Sequence, residues 1–471
     1  MTVRTETDSL GDIDVDDSRY WGAQTQRSLE NFDIGQPTYR WGRPMIAALG
    51  LVKGAAARTN ADLGLLDLAP EVVHHMLTAA DEVRTGRLDD QFPLVAFQTG
   101  SGTHTNMNAN EVIAGRANEL AGAGRGGHAP VHPNDHVNRG QSSNDVFPTV
   151  VHIAVETQLH DVFYPAVTGL REALAAKAEE FGGVVKVGRT HLQDAVPMFV
   201  GAEFGAWAER VDGALAQVRN AEPGLLELAI GGTAVGTGLN THPIFGAAVA
   251  DRLAEVTGRS FRRAPDPYAA LSSCDALIRL GVALRALALV LNQVAGDVRW
   301  LASGPRAGLG ELLLPANEPG SSIMPGKTNP TQAEALQLVC ARVVGNDATA
   351  AFASAGPQPQ LHLGRPVIAY AVLESLSLLA DACRSFERNC VRGIRVDRER
   401  LAAQVAADLM VATALTPRIG YAATARIVQA AVAGDLTLRD AALATGGLDA
   451  ATFDHLTDPA ALASGGLPGA D

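Results

Sequence analysis

The chain has 471 residues, of which 47% are apolar and only 5% aromatic, and its formal net charge is −13. That length exceeds a single core and points to two or three domains. The acidic balance excludes a nucleic-acid binder or a protein of anionic membrane surfaces, either of which needs a basic face.

Ala, Leu and Val dominate the apolar part, which suits helices packed closely on one another, so the expected fold is mainly α. Residues 1–10 carry Arg4, Glu6 and Asp8 without an apolar run, so no secretory signal is expected. A helical run is expected over 44–63. The tract 99–110 reads as too irregular for one element. Within it Thr99, Gly100, Ser101, Gly102, Thr103 and His104 set hydroxyls beside glycines that let the backbone approach a ligand closely. His132, Pro133, Asn134 and Asp135 form the next polar cluster. Gln141, Ser142, Ser143, Asn144 and Asp145 follow, where the first long helix begins. Free N–H groups and the positive helix end favour an anion there, although Ser-Ser-Asn-Asp is also an ordinary helix cap.

From 145 to about 389 apolar residues recur at helical spacing between compact breaker clusters. One of these clusters, residues 188–194, contains Thr190 and His191. After Pro265 and Pro267 a single helix is expected over 268–302, a rod of roughly 50 Å. Apolar residues on every side of its second half predict burial nearly all round. One chain covers several such rods poorly, which points to a homo-oligomer sharing one helical core. Its apolar stretch 281–296 holds Arg285 and Asn292 and reads as short of a membrane span. Cys274, Cys340, Cys383 and Cys390 sit in apolar helical contexts without metal-ligand spacing, as expected for buried thiols in a reducing cytoplasm. Beyond 395 a small helical domain is expected, with an amphipathic run over 437–443 and a Gly/Pro-rich tail over 465–471.

The most informative stretch is 320–330, Gly-Ser-Ser-Ile-Met-Pro-Gly-Lys-Thr-Asn-Pro. Its glycines and prolines exclude regular structure and free several N–H groups, while Lys327, Ser321, Ser322, Thr328 and Asn329 add a cation and polar contacts. The apolar Ile323 and Met324 beside the lysine suggest that one face packs down. A nucleotide-binding P-loop is excluded, because five residues instead of four precede the Gly-Lys pair and Pro330 interrupts the helix that should follow. A Ser-His-Asp hydrolase lacks its Gly-x-Ser-x-Gly elbow.

With these clusters in view, the chain closely resembles the class II fumarate hydratases of the fumarase and aspartase superfamily. Residues 320–330 look like the superfamily signature. The stretches 21–27, 98–103, 132–135, 141–148, 188–194 and 231–240 resemble further family motifs. The resemblance implies a three-domain, mainly α fold (1–140, 141–394 and 395–471) with a central bundle of long helices. It also implies a cytoplasmic homotetramer with active sites built from three subunits, a small dicarboxylate substrate, and no metal or organic cofactor. The implied reaction is reversible, stereospecific hydration of fumarate to (S)-malate through a carbanion. Aspartate ammonia-lyase, or elimination from another substituted succinate, is the alternative. By motif, Ser321 is the carbon base, and His191, oriented by Glu334, handles the proton of the water. Ser101, Gly102, Thr103, Ser142, Ser143, Asn144, Thr190, Ser322, Lys327, Thr328 and Asn329 bind substrate. His132, Pro133, Asn134 and Asp135 match a second, non-catalytic dicarboxylate site.

Overall fold

The computed structural model describes residues 2–445 and 447–467, so positions 468–471 of the Gly/Pro-rich tail lie outside the described residues. The chain is mainly helical with long helices, as its composition suggests. It opens on an antiparallel hairpin, β1 (Val3–Asp8) and β2 (Gly11–Asp16). Helices α1 (Ala23–Asn31), α2 (Arg43–Asp62), α3 (Pro70–Thr85), α4 (Thr103–Leu120), α5 (Ser143–Gln158) and α6 (Tyr164–Glu180) follow. A second antiparallel hairpin, β3 (Val185–Thr190) and β4 (Gln193–Phe199), precedes α7 (Val200–Ala221), α8 (Phe245–Thr257), α9 (Pro267–Ser272), α10 (Asp275–Leu301), α11 (Thr331–Ser354) and α12 (Arg365–Asn389). Short helices from Arg398 to Ala463 close the chain.

The chain divides into two compact units. The first comprises Met1–Pro165, Leu215–Ala288 and Cys340–Ala380. Here α2 packs on α3, α5 and α8, and Gly50 brings α2 so close to Ala80 and Arg84 of α3 that a side chain would strike their backbone. Pro44 in the first turn of α2 suits that helix end, where its missing N–H would be unpaired anyway.

Two expectations fail in this unit. The tract 99–110 is irregular only as far as Gly102, and α4 begins at Thr103. Asparagine is a poor helix former, but here the buried amides find partners: Asn106 and Asn110 donate to Asn138 Oδ1 at 3.2 and 3.1 Å, and Asn108 donates to the Gln91 carbonyl at 3.0 Å. The helix expected over 268–302 is broken at 273–274. Asp266 caps the short α9 by accepting from Tyr268 N and Ala269 N. The buried Arg365 guanidinium then donates to the carbonyls of Ala270, Leu271 and Ser273 at 3.2, 3.0 and 2.9 Å. Those carbonyls are held by a side chain where a continuous helix would need them, and Ser273 is extended. The remaining 27 residues of α10 make a rod of about 40 Å.

The second unit comprises Ala166–Ala214, Leu289–Val339 and Asp381–Asp471. It carries the β3–β4 hairpin and the loop 320–330. Val411, Leu415, Ile427, Leu438 and Phe453 form a separate small core near the end of the chain.

Burial nearly all round α10 is not achieved within one chain. Val282, Leu289 and Trp300 on α10 are exposed, as are Leu338 and Phe352 on α11, the last at 86%. Contrary to the sequence reading, Asp275–Leu301 is long and apolar enough to cross a membrane, as is Arg365–Gly393. About half of each apolar window is buried inside the fold, 50% and 56%, as in core helices. All four cysteines are buried.

Candidate active site

In the first unit two helix N-termini adjoin. Gly102 precedes α4 with φ +70°, and a side chain there would also strike the Phe147 ring, so glycine is required on two counts. The loop it closes joins Ser101 Oγ to Thr103 Oγ1 at 2.7 Å. The first turn is fixed by Gln98, whose side chain accepts from Thr105 N at 3.1 Å and donates to Thr105 Oγ1 at 2.8 Å.

Ser142 caps α5 with a reciprocal pair of bonds: its Oγ accepts from Asn144 N at 3.2 Å, and Asp145 Oδ1 accepts from Ser142 N at 2.9 Å. The other oxygen of Asp145 accepts from Gly231 N and Thr233 N, both at 2.9 Å, and Asn144 donates to the Ala234 carbonyl at 2.7 Å. The cap therefore also ties the segment 231–234 to α5. Asn106 of α4 donates to Ser143 Oγ at 3.0 Å, which brings Ser101 and Thr103 into the same neighbourhood as Ser142, Ser143 and Asn144. Two positive helix ends and several hydroxyls on one surface suit a carboxylate.

Behind this surface lies Lys53, which is fully buried. It donates to Asn138 Oδ1 at 3.1 Å and Gln141 Oε1 at 2.9 Å. Burial pulls its ammonium down to about 7, opposed by the Asp145 charge, and burial pushes Asp145 up to about 6. Sequence reasoning missed Lys53. Its signal was a lone charge in an apolar stripe, where Leu49, Val52 and Ala56 share its buried face.

His132, Pro133, Asn134 and Asp135 lie together on a π turn, Pro133–Val137, with its cap. His132 Nδ1 accepts from Asn134 N and Asp135 N at 3.1 and 3.2 Å, which leaves Nε2 as the protonated nitrogen. Burial lowers the basicity of this ring, and the neighbouring His128 adds to the effect. A cavity of about 320 Å³ opens beside it, lined also by Tyr20, Glu111, Arg125 and His128.

In the second unit Thr190 ends β3, and His191 and Leu192 form the two-residue turn to Gln193. Both turn residues have positive φ, +56° and +62°, where Asn-Gly is the usual solution. Leu192 is 65% exposed, so no packing explains it. The hairpin is anchored by a buried ion cluster in which Glu311 pairs with Arg189 and with Lys186 Nζ, the latter at 2.7 Å, while Lys186 also reaches Glu203 at 3.0 Å. Nothing in the sequence pattern marked Glu311.

The loop 320–330 is closed at its neck by Gly320 N donating to the Lys327 carbonyl at 2.8 Å and by Asn329 Nδ2 donating to the Gly320 carbonyl at 2.7 Å. Ser321 Oγ accepts from Ile323 N at 3.3 Å and Met324 N at 3.0 Å. Lys327 Nζ donates to Asn329 Oδ1 at 2.5 Å. Ser322 and Thr328 are exposed. The expectation that Ile323 and Met324 pack down is not met in the single chain, where they are 83% and 47% exposed. Glu334, in the first turn of α11, lies 3.8 Å from the Arg299 guanidinium, and among the described residues no hydrogen bond joins it to His191. Lys327, Thr328, Asn329 and Glu334 line a cavity of about 860 Å³ together with Arg299, Arg395 and Arg400. Such a basic lining suits a small dianion.

The family model described as Lyase matches residues 11–345, and that described as the fumarase C C-terminus matches 411–464. The chain is 53% identical over 463 residues to the class II fumarate hydratase of Thermus thermophilus, covering 98% of this chain and 99% of the relative. It is 49% identical over 456 residues to the mitochondrial fumarate hydratase of Rhizopus oryzae, covering 97% and 92%. Among solved structures, the class II fumarase of Schistosoma mansoni matches with a TM-score of 0.94 at 40% identity, covering 98% of this chain and 99% of that one. A fumarate lyase:delta crystallin of Brucella melitensis bound to cobalt matches with a TM-score of 0.93 at 39% identity, covering 98% and 100%.

Proposed function

Because the chain belongs to the class II fumarate hydratases, within the fumarase and aspartase family, we propose how its own residues divide the work of hydrating fumarate to malate, the reaction of that class. Ser321 takes the C3 proton of (S)-malate. The observation that carries this is its Oγ, which already accepts two backbone N–H bonds, so a negative oxygen there is stabilised before substrate arrives. Removing the proton spreads charge into the adjacent carboxylate, and the site must hold that extra charge better than it holds the ground state. Lys327, with Asn329 beside it, supplies the cation. Ser322 and Thr328 complete this side of the carboxylate site. His191, exposed at the tip of its turn, handles the proton of the water on the opposite face, with Thr190 beside it.

Ser101, Gly102 and Thr103 at α4 and Ser142, Ser143 and Asn144 at α5 hold the substrate carboxylates. We assign three chains of a homotetramer to one site, each supplying one set: the two helix ends, the hairpin turn, and the loop with Glu334. Glu334 would orient His191 from another chain. The exposed apolar residues of α10, α11 and the loop support this assembly, because faces of this kind on a soluble protein mark a contact surface. The three-domain division at 140/141 and 394/395 and the second dicarboxylate site at His132–Asp135 belong to the same reading. The separate core of the last segment supports the second boundary. We place the enzyme in the cytoplasm, where its buried thiols stay reduced.

The test is an ultraviolet assay of fumarate formation with the purified protein. Fumarate from (S)-malate and none from L-aspartate is expected. Fumarate from aspartate alone would overturn the assignment and make the chain an ammonia-lyase.

A further inference from the structure

Glu156 in the last turns of α5, His160 in the π turn Leu159–Phe163 that follows, and Glu222 just beyond α7 bring three ligand-type atoms within 4.8 Å of one another. The Glu156 side chain is 1% exposed, and its Oε2 has no hydrogen-bond partner among the described residues. A buried carboxylate oxygen left unpaired is costly unless a cation or proton answers it. His160 Nε2 lies 3.1 Å from Glu156 Oε1 and 2.9 Å from Glu222 Oε1. Around a tetrahedral ion with ligand bonds of about 2.0–2.1 Å, neighbouring ligand atoms stand roughly 3.4 Å apart, so small side-chain shifts would admit one. Tyr164 donates from its hydroxyl to Glu222 Oε2 at 2.6 Å and fixes that carboxylate from outside, as a supporting group at a metal site does. Arg259, the nearby cation, is engaged with Asp161 at 3.1 Å. His160 and Glu222 keep 29% and 19% of their side chains exposed, which gives an ion a way in and leaves room for water as a further ligand.

We propose that Glu156, His160 and Glu222 bind one divalent transition-metal ion of the zinc or cobalt class. Two carboxylates and a neutral imidazole match its charge and its preference for mixed nitrogen and oxygen ligands. The site is ancillary to catalysis. Glu156 lies about 14 residues along α5 from Ser142, roughly 20 Å away, so the ion clamps the far end of that helix.

The untagged full-length protein, dialysed against a chelator, is titrated with Co²⁺ while visible ligand-field absorption and bound heat are recorded, alongside His160→Gln and Glu222→Gln. One Co²⁺ per chain is expected, at least ~10-fold weaker in each variant, with malate turnover retained in the metal-free protein and in both variants. Absence of saturable binding, or binding in both variants as tight as in the unmodified protein, would overturn the proposal and leave a carboxyl pair sharing a proton.

Discussion

The role proposed for Ser321 rests on what surrounds one side chain. A serine hydroxyl is a weak base, and on the proposed assignment what changes it is the pair of N–H groups from Ile323 and Met324, with Lys327 three residues beyond Met324 in the same closed loop. Ser321→Ala should lower malate turnover by at least ~10²-fold, the usual scale for a positioned acid or base, with the oligomer intact by sedimentation. Near-normal turnover would remove Ser321 from that role. Lys53 makes a different argument. Its ammonium titrates near 7 in the fold and at the ordinary 10.5 when unfolded. Between those values the unfolded chain binds more protons, so this group's contribution to stability rises with pH across that window and is least favourable below about 7. In urea titrations, the stability of wild type relative to Lys53→Met should therefore improve from pH 7 towards 10. A flat difference would show that Lys53 stays charged in the fold.

Elements rather than residues explain what was legible in the sequence. Loops rich in Gly, Ser, Thr and Asn announced themselves, because helices of Ala, Leu and Val give such residues no other reason to cluster. That is why residues 99–102, 141–142 and 320–330 could be named in advance, whereas 188–194, expected as a breaker between helices, is the end of a strand hairpin. The break at 273–274 could not, because its cause is Arg365, some ninety positions later, reaching back to three carbonyls. Glu311 was invisible for the same reason. It neutralises Lys186 and Arg189 on the hairpin that presents His191, and it is 1% exposed. Glu311→Ala leaves Lys186 with Glu203 alone and Arg189 with only the 4.0 Å contact to Asp194, and should destabilise the fold by ~3–5 kcal/mol. Denaturant melts check this, and turnover should fall with the stability as His191 loses its footing. An unchanged midpoint would show the cluster to be dispensable.

At the scale of the whole molecule, the question is which chains build a site. If Ser321 and His191 reach one substrate from different chains, mixing Ser321→Ala with His191→Asn chains by joint unfolding and refolding should restore activity to roughly a quarter of the sites, because a random assembly gives each position an even chance of being intact. Each variant alone would stay inactive. No recovery in proven hybrid oligomers would place both residues in one chain's site. Exposure in the loop 320–330 bears on this assembly as well. Ile323 and Met324 are bare in the single chain, within three positions of the proposed base. On the proposed assignment a newly made chain carries its reactive segment as an adhesive one, and chaperones or proteases that survey orphan chains would bind where the chemistry is proposed to occur. Substitutions that make this loop less sticky would spare such chains from surveillance while weakening the enzyme they were meant to form.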